Sequence, residues 1–221
     1  MFINENFTLT SNKNIFEIER ILKNNNQNNQ TITTFFNQMK LYKNMRLTFE
    51  SLLIQNTPNA GGSSVESETL SFEILKKYFN AKLLKTEMQV EYFPEGGSIT
   101  DYVVYLFDRI IGVSVTRAMK FDKSEFTVED AVYLFTKKLK GILQSSRNSL
   151  IKWDKQILHV WLDDERSLEN LENAWLSLDS NLKSNTVLLL TYAPNSREVF
   201  FNQKPKAKKI KKARMNEIVV F

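Results

Sequence analysis

A chain of 221 residues, 42% of them hydrophobic, is long enough for one good core and marginal for two, and no run approaches the ~18–20 apolar residues of a membrane span. The net charge of +5 is local: seven cations stand between Lys204 and Arg214, and without them 23 basic residues face 25 acidic ones, so net charge says nothing about the partners of the folded part. The absence of cysteine excludes disulfides, a disulfide-linked partner, thiolate metal sites and thiol nucleophiles, and it fits a reducing intracellular compartment, nuclear or cytoplasmic.

Three segments follow from composition: a low-complexity, partly helical N-terminal arm (1–60), an α/β domain (61–203) and a basic tail (204–221). The start, MFINENFTLT, lacks the basic-then-apolar pattern of a secretory signal. In the arm, Ile15, Ile18, Ile21 and Leu22 recur at helical spacing. NNNQNNQTITT then holds mainly Asn, Gln and Thr, the residues encoded by the three frames of an AAC triplet repeat, and such a run is expected to be disordered. A second helix is expected over Thr33 to Gln55, ending at the linker NTPNAGGSS.

In the domain, SSVESETLSFEILKKYF reads as a helix with Ser64 or Ser67 as N-cap and a stripe of Leu70, Ile74, Leu75 and Phe79. AKLLKTEMQVEYF reads as a strand, followed by the turn PEGGS. Ile99 to Phe107 and Ile110 to Thr116 form a hairpin around Asp108-Arg109. FTVEDAVYLFTKKLKGIL is a helix capped by Thr127 with Asp130 three residues on, an acidic capping box. QILHVWL and NTVLLLTYA are apolar strands on either side of the helix SLENLENAWLSLDSNL. The order predicts an α/β fold: a mixed central sheet with an antiparallel hairpin and helices on both faces.

That order, with Glu68 on the first helix, Asp101 opening the second strand and GVSVTRA on the third, resembles the PD-(D/E)XK nuclease superfamily. The resemblance implies that Glu68 and Asp101 hold Mg²⁺ and that the chain acts on or binds nucleic acid, as a metal-dependent endonuclease or resolvase. A hairpin turn centred between Asp108 and Arg109 sets Asp101 opposite Thr116, with Ser114 on the same face. The chain departs from the superfamily here, because Ser114 and Thr116 stand where Glu and Lys are required. Glu87 or Glu91 could replace the carboxylate, and Arg117, Lys137 or Lys138 the cation; Arg117 and Lys138 are the candidate cations. The alternative is a catalytically inactive adaptor of the same fold. SETLSFEILKKYFNAKLLKTEMQVEY, GVSVTRAM and ILHVW also resemble an uncharacterised eukaryotic protein family, over Ser67 to Tyr192, which brings no activity with it.

Each residue has a plainer role. Glu66, Glu68 and Glu73 suit a helix start by charge alone, and Asp101 suits a turn end. His159, the one histidine, reads as a hydrogen-bonded core residue rather than a base, and without a second His or a Cys no zinc site can be argued. Trp153, Trp161 and Trp175 read as packing, and no glycine-rich phosphate loop is present. The tail cations Lys204, Lys206, Lys208, Lys209, Lys211, Lys212 and Arg214 cannot pack, stay solvated, and suit nucleic-acid phosphates or nuclear import.

Overall fold

A computed structural model describes residues 1–24, 30–58, 64–120, 122 and 124–201. In chain order the elements are β1 (Phe2–Ile3), β2 (Phe7–Ser11), α1 (Ile15–Lys23), β3 (Thr31–Gln38), α2 (Phe49–Asn56) and α3 (Val65–Phe79). There follow β4 (Lys82–Thr86), β5 (Tyr102–Leu106), β6 (Arg109–Ala118), α4 (Val128–Asn148), β7 (Lys155–Leu162), α5 (Arg166–Ser177), α6 (Ser180–Lys183), β8 (Thr186–Tyr192) and α7 (Arg197–Phe200). The strands make one eight-stranded mixed sheet in the order β1-β2-β3-β8-β7-β6-β5-β4. β3, β8, β7 and β6 run parallel in the middle, and antiparallel pairs flank them on both sides.

Strand alternation splits the apolar residues into two cores. Ile157 and Trp161 of β7 and Val187 and Leu189 of β8 pack with α1, α3 and α7; Leu158, Val160, Leu188 and Leu190 pack with α4 and α5. Both faces of the central strands are covered, which is why they read as continuous apolar runs. Among the described residues no helix is long and apolar enough to cross a membrane.

Two expectations are corrected. Residues 1–60 are not an arm outside the domain: β2 and β3 extend the sheet, β3 pairs in parallel with β8, and Phe7, Leu9, Ile32 and Phe36 are buried in the main core. The low-complexity run misleads because its last residues, Thr31 to Thr34, alternate with the period of a strand, and Thr34 is buried beside β8. The expected helix over Thr33 to Gln55 is β3, a 3₁₀ turn and α2, whose N-cap Thr48 accepts from the Ser51 N–H.

The hairpin turn lies one residue earlier than expected, at Phe107-Asp108, with φ of 50° and 59°. Asp tolerates the left-handed region, and Phe107 is anchored there by its ring against Phe79, 6.1 Å between centroids. Leu106 pairs with Arg109 and Tyr102 with Val113, so the register, continued one residue, sets Asp101 beside Ser114 rather than Thr116. The capping box of α4 forms as its sequence predicts, with Thr127 and Asp130 serving each other's backbone N–H. Ser64, not Ser67, is the N-cap of α3.

Candidate functional site

The first turn of α3 lies against the carboxyl end of β7, where Trp161 Nε1 donates to the Ser67 carbonyl at 3.1 Å. This brings Glu68 to the place where the β5–β6 ladder ends. Beyond Tyr102–Val113 the strand pairing stops, and the Asp101 carboxylate accepts the Val115 N–H at 2.5 Å. Lys138, from α4, points at the same rung, its ammonium 3.5 Å from the Val115 carbonyl oxygen. One residue of β6, Val115, thus gives its N–H to a carboxylate and its carbonyl oxygen to a cation.

The electrostatics tie these groups together. Burial pushes Asp101 up to about 7, Glu68's charge adds to it, and Lys138 and the Val115 N–H oppose it. Burial likewise raises Glu68; Glu87 adds to that, while the Ser64 hydroxyl, Lys138 and Arg117 favour its charged form. Arg117 stands apart. Its guanidinium donates to the Val199 and Phe200 carbonyls at 3.3 and 3.1 Å, burial lowers its pKa, and Glu66 and then Glu68 oppose that.

Glu68, Asp101 and Lys138 therefore act on one another, and Arg117 reaches the group through Glu68. Ser114 does not take part by hydrogen bonding: its buried hydroxyl accepts from Gln156 Nε2 at 3.2 Å. Among the described residues no three acidic or imidazole groups converge to hold a metal ion, so a cation here would rest on Glu68 and Asp101. A carboxylate whose ionisation is opposed by the charge of Glu68 fits such an ion, because a positive charge beside both removes the repulsion. The tail cations, Lys204 to Arg214, lie outside the described residues.

His159 forms the centre of a second polar system under α3, as a hydrogen-bonded core residue. Its Nδ1 lies 2.6 Å from Ser71 Oγ and its Nε2 2.7 Å from Thr191 Oγ1. Ser71 Oγ is 2.5 Å from Tyr102 OH, and Thr191 Oγ1 is 2.8 Å from Thr34 Oγ1, which donates to the Leu190 carbonyl. A carbonyl can only accept, and with the Thr34 proton on Leu190 the order of the chain follows. Thr34 donates to Leu190, Thr191 to Thr34, His159 Nε2–H to Thr191, Ser71 to His159 Nδ1 and Tyr102 to Ser71. Each proton meets one acceptor only when the imidazole is neutral. Burial drives the same way, lowering His159 to about 3.

Sequence reading reaches Glu68, Asp101 and Lys138 through what the resemblance to the PD-(D/E)XK superfamily implies for these positions. It misses the partners of His159, since positions 34, 71, 102 and 191 carry no mutual pattern. It also misses a cleft of about 980 Å³ at the carboxyl ends of the parallel strands, whose walls include Asp163, Asp164, Glu165, Tyr192, Arg197 and Phe201. The signal available was an acidic run directly after an apolar strand.

No family model matches the chain, and no solved structure matches it. It is similar to the AAC-rich mRNA clone AAC4 protein of Dictyostelium discoideum, 42% identical over 154 residues, which cover 66% of this chain and 23% of that protein. The chain thus spans under a quarter of the relative's length.

Proposed function

We propose that the chain is a nucleic-acid-acting protein with a site of the PD-(D/E)XK nuclease type, in which Glu68 and Asp101 hold the cation and Lys138 supplies the positive charge. The observation that carries this reading is that a carboxylate just before β5 takes the Val115 N–H and an ammonium from α4 the Val115 carbonyl, while the charge of a carboxylate from α3 acts on both groups. The order α3-β4-β5-β6-α4-β7 supports it, since that is the order the superfamily uses around its site. Mg²⁺ held by the two carboxylates would polarise a phosphate oxygen and favour a bound hydroxide. Lys138 sits beside them, where it can balance charge on a phosphoryl group. The seven tail cations would add sequence-independent affinity for phosphates, with a log K against log salt slope near −6 at ~0.9 per contact.

A second reading, a binding module of the same fold without catalysis, is favoured by one observation. Ser114 stands where the superfamily has Glu, and its hydroxyl is occupied by Gln156. Cleavage of mixed DNA and RNA substrates with Mg²⁺ or Mn²⁺ separates the two. The nuclease reading expects cleavage by the wild type and none by Asp101→Asn, which removes a metal ligand while keeping an acceptor for Val115. Absence of cleavage by a folded wild type that still binds nucleic acid leaves the binding module.

A further inference from the structure

Positive charge in residues 1–203 is concentrated in one stretch. Residues 131–153 hold Lys137, Lys138, Lys140, Arg147 and Lys152 and no acid, whereas the remainder carries 18 basic and 24 acidic residues. α4 supplies most of this stretch, and its helical period sorts the charges. Lys137, Lys140, Gln144 and Arg147 follow one another at steps of three, four and three residues. This sets them in a single line opposite the buried Ala131, Phe135, Leu139 and Ile142. All three cations of the line are exposed. Among the described residues no carboxylate pairs with them, and Arg147 Nε donates to a neutral acceptor, Asn148 Oδ1, at 3.3 Å.

The line borders the candidate site. Lys138, next to Lys137, directs its ammonium away from the line, to the Val115 carbonyl at 3.5 Å. The segment that ends in Asp101 rests on the same helix: Gln144 Oε1 accepts the Ser98 N–H at 3.0 Å, and Thr100 Oγ1 lies 3.3 Å from Ser145 Oγ. Gly97 allows that approach, since a Cβ there would stand 2.5 Å from Gln144 Nε2 and its φ of +88° disfavours any side chain. A run of phosphates lying along the line would therefore pass both the segment that carries Asp101 and the helical turn that carries Lys138.

We propose that the outer face of α4 is the track of a nucleic-acid backbone, with Lys137, Lys140 and Arg147 on its phosphates. A row of exposed cations with no acid among them is complementary to a regular polyanion. From Lys137 to Arg147 the line covers ~15 Å at ~1.5 Å per residue, the length of about four nucleotides of one strand at ~3.4 Å each. Such contacts fix the position of the backbone without reading bases. The inference rests on the nucleic-acid reading of the site and not on cleavage there, and it places phosphate contacts on the folded domain in addition to those of the tail.

Fluorescence anisotropy of the full chain with labelled DNA and RNA, duplex and single-stranded, over a range of salt concentrations tests it. In the triple variant Lys137→Ala, Lys140→Ala, Arg147→Ala the slope of log K against log salt should be shallower by ~2–2.7, at ~0.7–0.9 per lost contact, and binding at ~0.1 M salt about 100-fold weaker. The three single variants, each expected to take ~0.7–0.9 from the slope, decide the matter should the triple variant melt early. The control Lys43→Ala, Lys77→Ala, Lys82→Ala removes the same charge from exposed positions on other elements and should leave the slope nearly unchanged. A folded triple variant with the wild-type slope, or an equal loss in the control, would overturn the proposal and leave the nucleic-acid reading standing. Absence of binding to any of these nucleic acids by the wild type would sink both. A loss seen only with phosphatidylserine vesicles, and not with nucleic acid, would give the surface to a membrane instead.

Discussion

Asp101 Oδ2 lies 2.5 Å from the Val115 nitrogen, so a side-chain carboxylate takes the N–H left over where the β5–β6 ladder ends. That bond alone would favour the ionised acid, yet burial and Glu68 outweigh it and hold Asp101 at about 7. The site is therefore poised to change charge near neutrality, and His159, at about 3, is held neutral across the same range.

These two groups oppose each other in the pH dependence of stability. Between the ordinary 3.8 of Asp and about 7, the folded state keeps a proton on Asp101 that the unfolded chain releases, so this contribution falls as pH rises. Between about 3 and the ordinary 6.5 of His, the unfolded chain takes a proton that folded His159 refuses, so that contribution rises with pH. Each gives a slope of ~1.4 kcal/mol per pH unit, and in the wild type they largely cancel from pH ~4 to ~6.5. Asp101→Asn should uncover the His159 slope, with stability rising by roughly that amount per pH unit over the window. Urea titrations at several pH values measure it; parallel wild-type and variant profiles would refute the assignment.

The proton order derived for the buried chain predicts the neutral Nε2–H tautomer of His159, visible in ¹⁵N imidazole shifts and unchanged down to about pH 4. His159→Ala should cost about 3–5 kcal/mol by chemical denaturation, since it opens a cavity and strands the Ser71 and Thr191 hydroxyls. Thr191→Ser keeps the hydroxyl and should cost far less.

The Val115 amide reports on the candidate site directly. Glu68→Gln removes a like charge, so the pH midpoint of the Val115 ¹H–¹⁵N shift should move down from that of the wild type. Mg²⁺ binding at Glu68 and Asp101 should lower the wild-type midpoint and leave that of Asp101→Asn without a titration. A midpoint insensitive to Mg²⁺ at millimolar concentration counts against a metal at these carboxylates.

Truncation of residues 1–38 should abolish cooperative unfolding rather than trim an appendage. β3 pairs with β8 along Thr31 to Phe35, and removing it exposes the edge of a central parallel strand. The single substitution Phe36→Ala, at a fully buried ring 5.5 Å from the Trp161 ring, should cost about 3–5 kcal/mol by chemical denaturation. Loss of less than 1 kcal/mol would mean the N-terminal strands are peripheral.

What the sequence by itself determined is local. Apolar periodicity placed α3, α4, β7 and β8, and the Thr127–Asp130 box marked where α4 starts, while Glu68, Asp101 and Lys138 were singled out by the resemblance their elements carry. The periodicity and the box depend on contacts a few residues apart, which spacing encodes. Only the tertiary structure decided the rest. That Thr31–Gln38 is a strand follows from the open edge of β8, about 155 residues later, overriding a composition that reads as disorder. The turn falls at Phe107-Asp108, with Phe107 against the Phe79 ring, and the register continued from it sets Asp101 beside Ser114 rather than Thr116. His159 sits in a chain of four hydroxyls from four other elements, and the cleft lies where the chains leaving β7 and β8 part to opposite faces. Contacts of that range leave no periodic trace in the residues that make them.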